Sequence, residues 1–241
     1  MNIITMLLPA GSLGRNQARL DFKGVTIHNT DNSNPGADAL QNVRYMIDNA
    51  HNMYNSWHYT VDDHQIIRSV PEDEEAMHTG SREGNHTTVG IEITQNSDGN
   101  ILKATNNATW LAANILRRHG INRAIWKENI FQHHDWTGKD CPSQIRRGIP
   151  YDWNTFVNRV NVFLRQPALS RILRYVPSSL MRGNDVRMAQ RRLGALGFYS
   201  GRADGAYGAQ TAEAVRRFQS ARGITPQDGI LGPYTWSMLW L

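Results

Sequence analysis

The feature that most constrains the fold is a series of short β-branched and aromatic segments that alternate with amphipathic ones. Four segments are rich in β-branched or aromatic residues and bounded by Gly, Asn or Asp, which is typical of strands. They are residues 24–30, 57–61, 64–70 and 87–93. The pair Asp62-Asp63 between the second and third segments predicts a hairpin turn.

Helices are predicted between and after these strands. Apolar residues recur at helical spacing over 40–50 and 110–116, and a further helical stretch covers 153–164. Strands separated by helices indicate an α/β domain, with a mixed central β-sheet flanked by helices, over residues 1–165. Residues 166–179 contain two prolines and are predicted to be a linker.

The C-terminal part of the chain contains an internal repeat. The pattern D-G-x-x-G-x-x-T occurs at 204–211 and again, 24 residues later, at 228–235. Each Asp-Gly turn leads to a threonine, Thr211 or Thr235, which we expect to cap the following helix. With one more predicted helix before the repeat, residues 180–241 are expected to form a small all-α, three-helix domain.

Composition and charge narrow the class of protein. With 40 % hydrophobic and 20 % charged residues, the chain has the composition of a globular protein. The net charge of +5 is uneven, because residues 170–241 hold ten Arg, no Lys and four acidic residues, while residues 1–169 are nearly neutral. A basic tail predicts a polyanionic partner, whether nucleic acid, a membrane surface or another anionic polymer.

Two further features exclude whole classes of structure. The single cysteine, Cys141, excludes an intramolecular disulfide framework. The apolar stretch 3–9 is far shorter than the roughly 20 residues of a membrane span, and no Lys or Arg precedes it. We therefore expect neither a signal peptide nor membrane insertion.

The densest chemical signal is the sequence HHDWTGKDCP at residues 133–142, which places His133 eight residues before Cys141. Histidine and cysteine are zinc ligands, and a catalytic zinc site uses three protein ligands. His28 on a predicted strand could supply the third. Glu92 lies in an otherwise apolar strand, where a carboxylate is costly unless it is paired or functional. Taken singly, each of these residues also has a structural interpretation, since a lone cysteine usually packs as a small hydrophobe.

Four motifs in order carry a resemblance to a known family: GVTIHNT, SWHYTVDDHQIIRSVPEDEEAMHTG, VGIEI and HHDWTGKDCP. They resemble the type-2 N-acetylmuramoyl-L-alanine amidases of phage endolysins and bacterial autolysins, whose zinc fold peptidoglycan recognition proteins share. This resemblance covers about residues 1–165. The tail is similar to a peptidoglycan-binding domain, through the pattern V-x-x-x-Q-x-x-L-x-x-L-G-F over 186–198 and A-V-x-x-F-Q over 214–219.

The resemblance implies a role for each residue of the predicted site. His28, His133 and Cys141 would bind one Zn²⁺ per chain, which polarises the scissile carbonyl and lowers the pKa of a bound water. Glu92 would act as the general base that takes the proton of this water. Lys139 would face the oxyanion of the tetrahedral intermediate.

Three assignments are less direct. His134 is an alternative to His133, because adjacent residues on a strand point to opposite faces and only one can reach the metal. Trp57 stands where several relatives carry a catalytic Tyr; since Trp has no phenolic proton, the chemistry would depend on Glu92. Both Trp57 and His78 are expected at the substrate cleft.

The resemblance implies hydrolysis of the amide between the lactyl group of N-acetylmuramic acid and L-alanine of the stem peptide. It suggests a monomeric phage endolysin that collects in the host cytoplasm and reaches the wall after holin-type release. A host autolysin or sporulation amidase is the alternative. A recognition protein without activity is disfavoured, because Cys141 and Glu92 are both retained. Bacterial peptidoglycan is then the expected partner, and the wall-binding pattern argues against nucleic acid.

Overall fold

The computed structural model describes residues 3–241, so the first two residues of the predicted N-terminal domain lie outside the described part. The described chain divides into two compact units. The first ends at Arg165, and the second is Gln166–Leu241. No helix within the described residues is both long and apolar enough to cross a membrane.

One mixed sheet forms the centre of the first unit. Across the sheet, the strands of the described chain are β1 (Ile3–Thr5), β4 (Ile66–Arg68), β3 (Tyr59–Val61), β5 (Thr88–Ile93), β2 (Gly24–Asn29) and β6 (Ile130–Gln132). The β3 and β4 strands are antiparallel, and all other neighbours are parallel. The predicted hairpin is confirmed: the buried Asp62 carboxylate accepts hydrogen bonds from the backbone N–H groups of His64 and Gln65.

Helices surround this sheet. They are α1 (Ala39–Asp48), α2 (Arg82–Thr87), α3 (Ile101–Arg118), α4 (His134–Thr137), α5 (Ser143–Arg146) and α6 (Trp153–Arg165). The two longer helices that precede β6 begin at residues with capping side chains: Asp38 accepts from the N–H of Gln41, and Asn100 from that of Lys103. The predicted mixed sheet flanked by helices is therefore confirmed.

The two faces of the sheet differ because side chains alternate along each strand. One face of β2 and β5 is apolar and fully buried, and it consists of Val25, Ile27, Val89, Ile91 and Ile93. The long helix α3 packs against β2, β3 and β5 and covers this apolar face. The opposite face carries His28 and Glu92, which are paired in register on adjacent strands. The fold thus collects the polar residues of the central strands on one surface.

The second unit contains three helices among its described residues: α7 (Asn184–Ala195), α8 (Ala209–Ala221) and α9 (Pro233–Met238). The core of this unit includes fully buried apolar side chains of α7 and α8 and of the loop before α9: Val186, Ala189, Leu193, Ala214, Val215, Phe218 and Leu231. The predicted all-α, three-helix architecture is confirmed. Residues 166–179 contain no helix or strand. They pack on this unit, because Leu173 is buried and pairs with Leu231, and Trp236 Nε1 donates to the carbonyl of Pro167.

Each Asp-Gly turn of the repeat in the tail is hydrogen-bonded to a glutamine side chain, an arrangement that we call a glutamine clasp. In the first, the Gln190 amide accepts from the N–H of Gly205 and donates to the carboxylate of Asp204. In the second, Gln219 makes the same two bonds with Gly229 and Asp228. Each Asp-Gly turn is therefore anchored to a helix by one buried side chain.

The predicted threonine caps are wrong. The N-cap residues of helices α8 and α9 are Gly208 and Gly232, which have extended backbones and provide no side-chain cap. Thr211 and Thr235 lie inside the helices and are buried. The hydroxyl of Thr211 accepts from Gln190 Nε2 at 3.1 Å, so it serves the first clasp instead of the helix terminus.

Candidate active site

Three groups of the type that bind metals meet on the polar face of the sheet. His28 Nδ1 lies 3.0 Å from His133 Nδ1 and 3.8 Å from Cys141 Sγ. The potential ligand atoms of all three residues lie within 4.8 Å of one another. His28 and Cys141 are buried, and His133 is half-buried. The structure thus brings together the three residues that the sequence singled out as ligands.

Local structure explains how residues so distant in sequence converge. His28 lies near the carboxyl end of β2, and β6 runs parallel beside it. The chain leaves β6 at His133, whose backbone N–H donates to the carbonyl of Ile27. Helix α4 then ends at Gly138, whose positive φ of 77° turns the chain back. The returning segment is held because the N–H of His134 donates to the carbonyl of Cys141.

The structure places His133, and not His134, in this group. The strand-alternation argument used to separate them does not apply, because β6 ends at Gln132 and His133 has helical backbone angles at the start of α4. The ring of His134 instead has Nδ1 3.1 Å from the carbonyl oxygen of Lys139.

Glu92 lies beside this cluster on β5. Its Oε1 is 3.8 Å from His28 Nδ1, and only 13 % of its side chain is exposed. Its Oε2 is buried without a hydrogen-bond partner among the described residues. Burial is the main cause that raises the pKa of Glu92 to about 8, against the opposing effect of the nearby Lys139 charge.

Lys139 stands at the exposed side of the site, with its Nζ 3.4 Å from Asp31 Oδ2. Partial burial acts to lower the pKa of Lys139, but the Cys141 sulfur and the carboxylates of Asp31 and Glu92 outweigh it and raise the pKa. The ammonium group is therefore charged at any physiological pH. Asp31 has a positive φ of 50°, which few residues other than Gly adopt.

The electrostatics of the cluster suit a cation. Burial lowers the pKa of His28 and His133, so both rings are neutral at pH 7 and can offer a lone pair to a metal. Burial also raises the pKa of the Cys141 thiol to about 12. A divalent cation would reverse that effect by stabilising the thiolate. Two imidazoles and a thiol in contact, with a partnerless carboxylate oxygen alongside, are a donor set that fits Zn²⁺.

The two expected substrate residues have protein partners. The ring of His78 is buried, with Nδ1 2.9 Å from His28 Nε2 and Nε2 3.0 Å from the carbonyl oxygen of Thr88. The indole N–H of Trp57 donates to Thr60, and its ring packs on a cluster that contains Leu8, Met46 and Ala50. Substrate contact by either residue stays a prediction.

Comparison with known proteins identifies the family. The sequence model of the N-acetylmuramoyl-L-alanine amidases matches residues 18–144, and that of a putative peptidoglycan binding domain matches residues 182–239. The chain belongs to the N-acetylmuramoyl-L-alanine amidase family. As an amidase it acts on peptidoglycan, and its second unit contains the residues that match the putative peptidoglycan binding domain.

Individual relatives agree with this assignment. The amidase CwlH of Bacillus subtilis (strain 168) is 35 % identical over 219 residues, which cover 83 % of each chain. The amidase XlyA of the same organism is 32 % identical over 93 % of this chain and 94 % of its own. The solved catalytic domain of XlyA superposes with a TM-score of 0.60 at 35 % identity, covering 66 % of this amidase and 99 % of that domain.

Some residues of the site had no signal in the sequence. Asp31, which pairs with Lys139, is one of many polar residues in a loop. The side-chain oxygen of Asn85 accepts from the backbone N–H groups of His78 and Thr79, and isolated asparagines of that kind are common at turns. Neither could be distinguished from an ordinary loop residue before the folded chain was seen.

Proposed function

We propose that this amidase is a zinc-dependent phage endolysin that hydrolyses the amide between the lactyl group of N-acetylmuramic acid and L-alanine. The observation that carries the zinc part of the proposal is the contact among His28, His133 and Cys141 beside the partnerless oxygen of Glu92. The metal would be held by these three residues. Zinc with three protein ligands supplies a Lewis acid and an open position where a carbonyl is polarised and the pKa of a water is lowered.

Glu92 is the proton acceptor in this proposal. Its buried Oε2 has no partner among the described residues and is free to accept a proton from the attacking water. Burial raises the pKa of this carboxylate, whereas the positive charges of Lys139 and of a bound metal would favour the ionised form that accepts the proton. Later in the reaction the same group can return the proton to the leaving amine of L-alanine.

Lys139 supplies positive charge on the solvent side of the cluster. Its ammonium group lies near Asp31, Cys141 and Glu92, so it is close to the position where the carbonyl oxygen becomes negative. A fixed charge at that point stabilises the oxyanion more than the substrate carbonyl, which lowers the barrier.

The endolysin role is supported by the relatives. The solved structure of a mutant endolysin from Bacillus subtilis is 36 % identical to this amidase, with a TM-score of 0.60 and 99 % of that chain covered. The curated relatives CwlH and XlyA carry the amidase name without deciding between lysis and wall turnover.

Digestion of purified sacculi tests the reaction. We expect mass spectrometry to find stem peptides with a free L-alanine amino terminus, and activity that is lost on chelation and restored by zinc. Glu92→Gln should retain the fold and bound zinc but lose at least about 100-fold in kcat. Products cut within the peptide or glycan, or a fully active Glu92→Gln, would contradict the proposal.

Lysis of growing cells tests the biological role. The amidase is expressed in the cytoplasm of a bacterium whose wall it digests, with and without a separately induced membrane pore. An endolysin should lyse the culture only when the pore opens. Growth that continues after the pore opens, with active amidase in the cells, would favour a role in wall turnover.

A further inference from the structure

The second ring nitrogen of His28 is occupied by His78, which lies in the short segment His78-Thr79. His28 Nε2 lies 2.9 Å from His78 Nδ1. The Nδ1 atoms of His28 and His133 face each other at 3.0 Å, and Cys141 Sγ lies 3.8 Å from His28 Nδ1. His78 therefore determines which nitrogen of His28 is left to face the other two proposed ligands.

The direction of each hydrogen bond follows from a carbonyl group, which can only accept. His78 Nε2 lies 3.0 Å from the carbonyl oxygen of Thr88, so this nitrogen carries the proton of the neutral ring. His78 Nδ1 then has a lone pair and accepts from His28 Nε2–H. The consequence is that His28 Nδ1 carries no proton and presents its lone pair to Cys141 and His133.

The lone pair of His28 Nδ1 then faces the ring of His133, whose Nδ1 lies 3.0 Å away. A bound cation would stabilise two imidazole nitrogens held this close together.

The segment itself is held rigidly. Asn85 Oδ1 accepts from the backbone N–H of His78 at 3.0 Å and from that of Thr79 at 2.8 Å. Gly90 makes room for the imidazole, because a Cβ at this position would lie 2.7 Å from Cγ and Nδ1 of His78. The ring is thus confined between β5 and the loop that Asn85 anchors.

We propose that His78 is a positioning residue for His28. Because its Nε2–H donates to the carbonyl of Thr88, its Nδ1 must accept from His28 Nε2–H, and this fixes the metal-binding tautomer of His28. This inference rests on the proposed zinc site and assigns His78 a role different from the substrate contact expected from sequence.

The tautomer is measured first, on the zinc-free full chain. Long-range ¹H–¹⁵N NMR of the histidine rings should show His28 protonated at Nε2 and not at Nδ1. In His78→Leu, which removes the acceptor, we expect the Nδ1–H form to be populated. A His28 ring already protonated at Nδ1 in the unmodified chain would overturn the proposal.

Zinc affinity is measured next, by competition with a chromophoric chelator. We expect His78→Leu to bind zinc about 10- to 100-fold more weakly, as for other partners of ligand histidines. His78→Asn, whose amide oxygen can replace Nδ1 as acceptor, should recover part of the loss. Gly90→Ala should also weaken binding, because it displaces the ring without changing it.

His58→Leu is the matched control. His58 is equally buried and also bonds through both nitrogens, but its partners are the N–H of Gly90 and the carbonyl of Glu74, and not a proposed ligand. If His78 only supported folding, zinc affinity would fall equally in the two variants at matched melting temperatures. We expect it to fall only in His78→Leu, and equal losses would refute the positioning role.

The proposed metal site and the proposed positioning role of His78 are contradicted by different results. If the unmodified chain bound no zinc, the proposed metal site would be wrong, while the tautomer of His28 would still be readable by NMR. If zinc bound tightly and His78→Leu bound it as well as the unmodified chain, only the positioning role would be wrong.

Discussion

At the scale of single residues, charged groups of the amidase are positioned by neighbouring side chains that have no proposed role in the reaction. Asp31 is the example at the exposed side of the site, where its carboxylate accepts from Ser143 and lies 3.4 Å from Lys139 Nζ. A lysine side chain has several rotatable bonds, so a fixed carboxylate limits where its charge can be. Asp31 therefore positions Lys139 for the proposed oxyanion role.

Replacing Asp31 by Asn tests this contact. We expect kcat on soluble muropeptides to fall by about three- to tenfold, because Lys139 loses its electrostatic anchor, with zinc content unchanged. Asp48→Asn, an exposed change on α1, is the control and should leave kcat unaltered. An Asp31→Asn enzyme with unchanged kcat would show that Lys139 is positioned by other contacts.

His58 predicts how stability changes with pH. Burial lowers the pKa of His58 to about 4, whereas an unfolded histidine titrates near 6.5. The unfolded chain therefore binds more protons between these values, so the stability contributed by neutral His58 is present above pH 6.5 and is lost as the pH falls towards 4.

Comparing the unmodified chain with His58→Gln isolates the contribution of His58 to the pH dependence of stability. Urea unfolding of both proteins is measured between pH 7 and pH 4.5. The free energy of unfolding should fall more steeply on acidification in the unmodified chain than in the variant. Parallel curves would mean that His58 does not titrate as its burial indicates.

At the scale of elements, sequence patterns predicted the strands that lie in longer β-branched or aromatic segments and missed several short elements without such flanks. The β-branched runs of β2 and β5 are six residues each and predicted their strands well. The three-residue strands β3 and β4 were predicted because the segments that contain them are joined by Asp62-Asp63, whereas β1 and β6, of the same length, have no such turn beside them. The four-residue helix α4 was missed because it is too short for a helical period to be recognised, although it carries the turn that brings His133 towards Cys141.

The site was more predictable than the elements that build it. The types and spacing of His133 and Cys141 indicated metal chemistry before any fold was known. The partners of these residues were not predictable, because hydrogen bonds such as that between His28 and His78 join positions 50 residues apart. The threonine caps failed because each helix begins directly after a glycine, Gly208 or Gly232, three residues before the threonine. The hydroxyl of Thr211 instead accepts from the buried amide of Gln190.

The first glutamine clasp makes a prediction about the second unit. Gln190→Ala leaves the N–H of Gly205 and the hydroxyl of Thr211 without their buried partner, which should cost about 1–3 kcal/mol in the free energy of unfolding. Gln210→Ala, an exposed change at the start of α8, should cost much less. Equal effects of the two substitutions, measured by urea unfolding, would show that the clasp contributes little.

At the scale of the whole molecule, the two units differ in the types of residue that they carry. The first holds every histidine and the cysteine, while Gln166–Leu241 has neither residue type and carries the excess of arginine. Zinc binding should therefore stabilise only the first unit against unfolding.

Removing the metal tests this division. Chelation of the zinc-loaded protein should lower the melting temperature of the first unit by about 5–10 °C if zinc is present at 100 times its dissociation constant. The transition of the second unit should not move. Equal shifts of both transitions in calorimetry would show that the metal effect is not confined to the proposed site.

The contact between His28 and Cys141 has a consequence for the conditions under which the amidase would stay cross-linked. These residues are 113 positions apart in the chain, so the proposed metal would link two distant parts of the catalytic unit, as a disulfide would in a secreted domain. A disulfide opens in a reducing cytosol, whereas a link made of one thiolate and two imidazoles would not depend on the redox state of a cysteine pair. The proposed metal would therefore cross-link the chain in a reducing compartment as well as in an oxidising one.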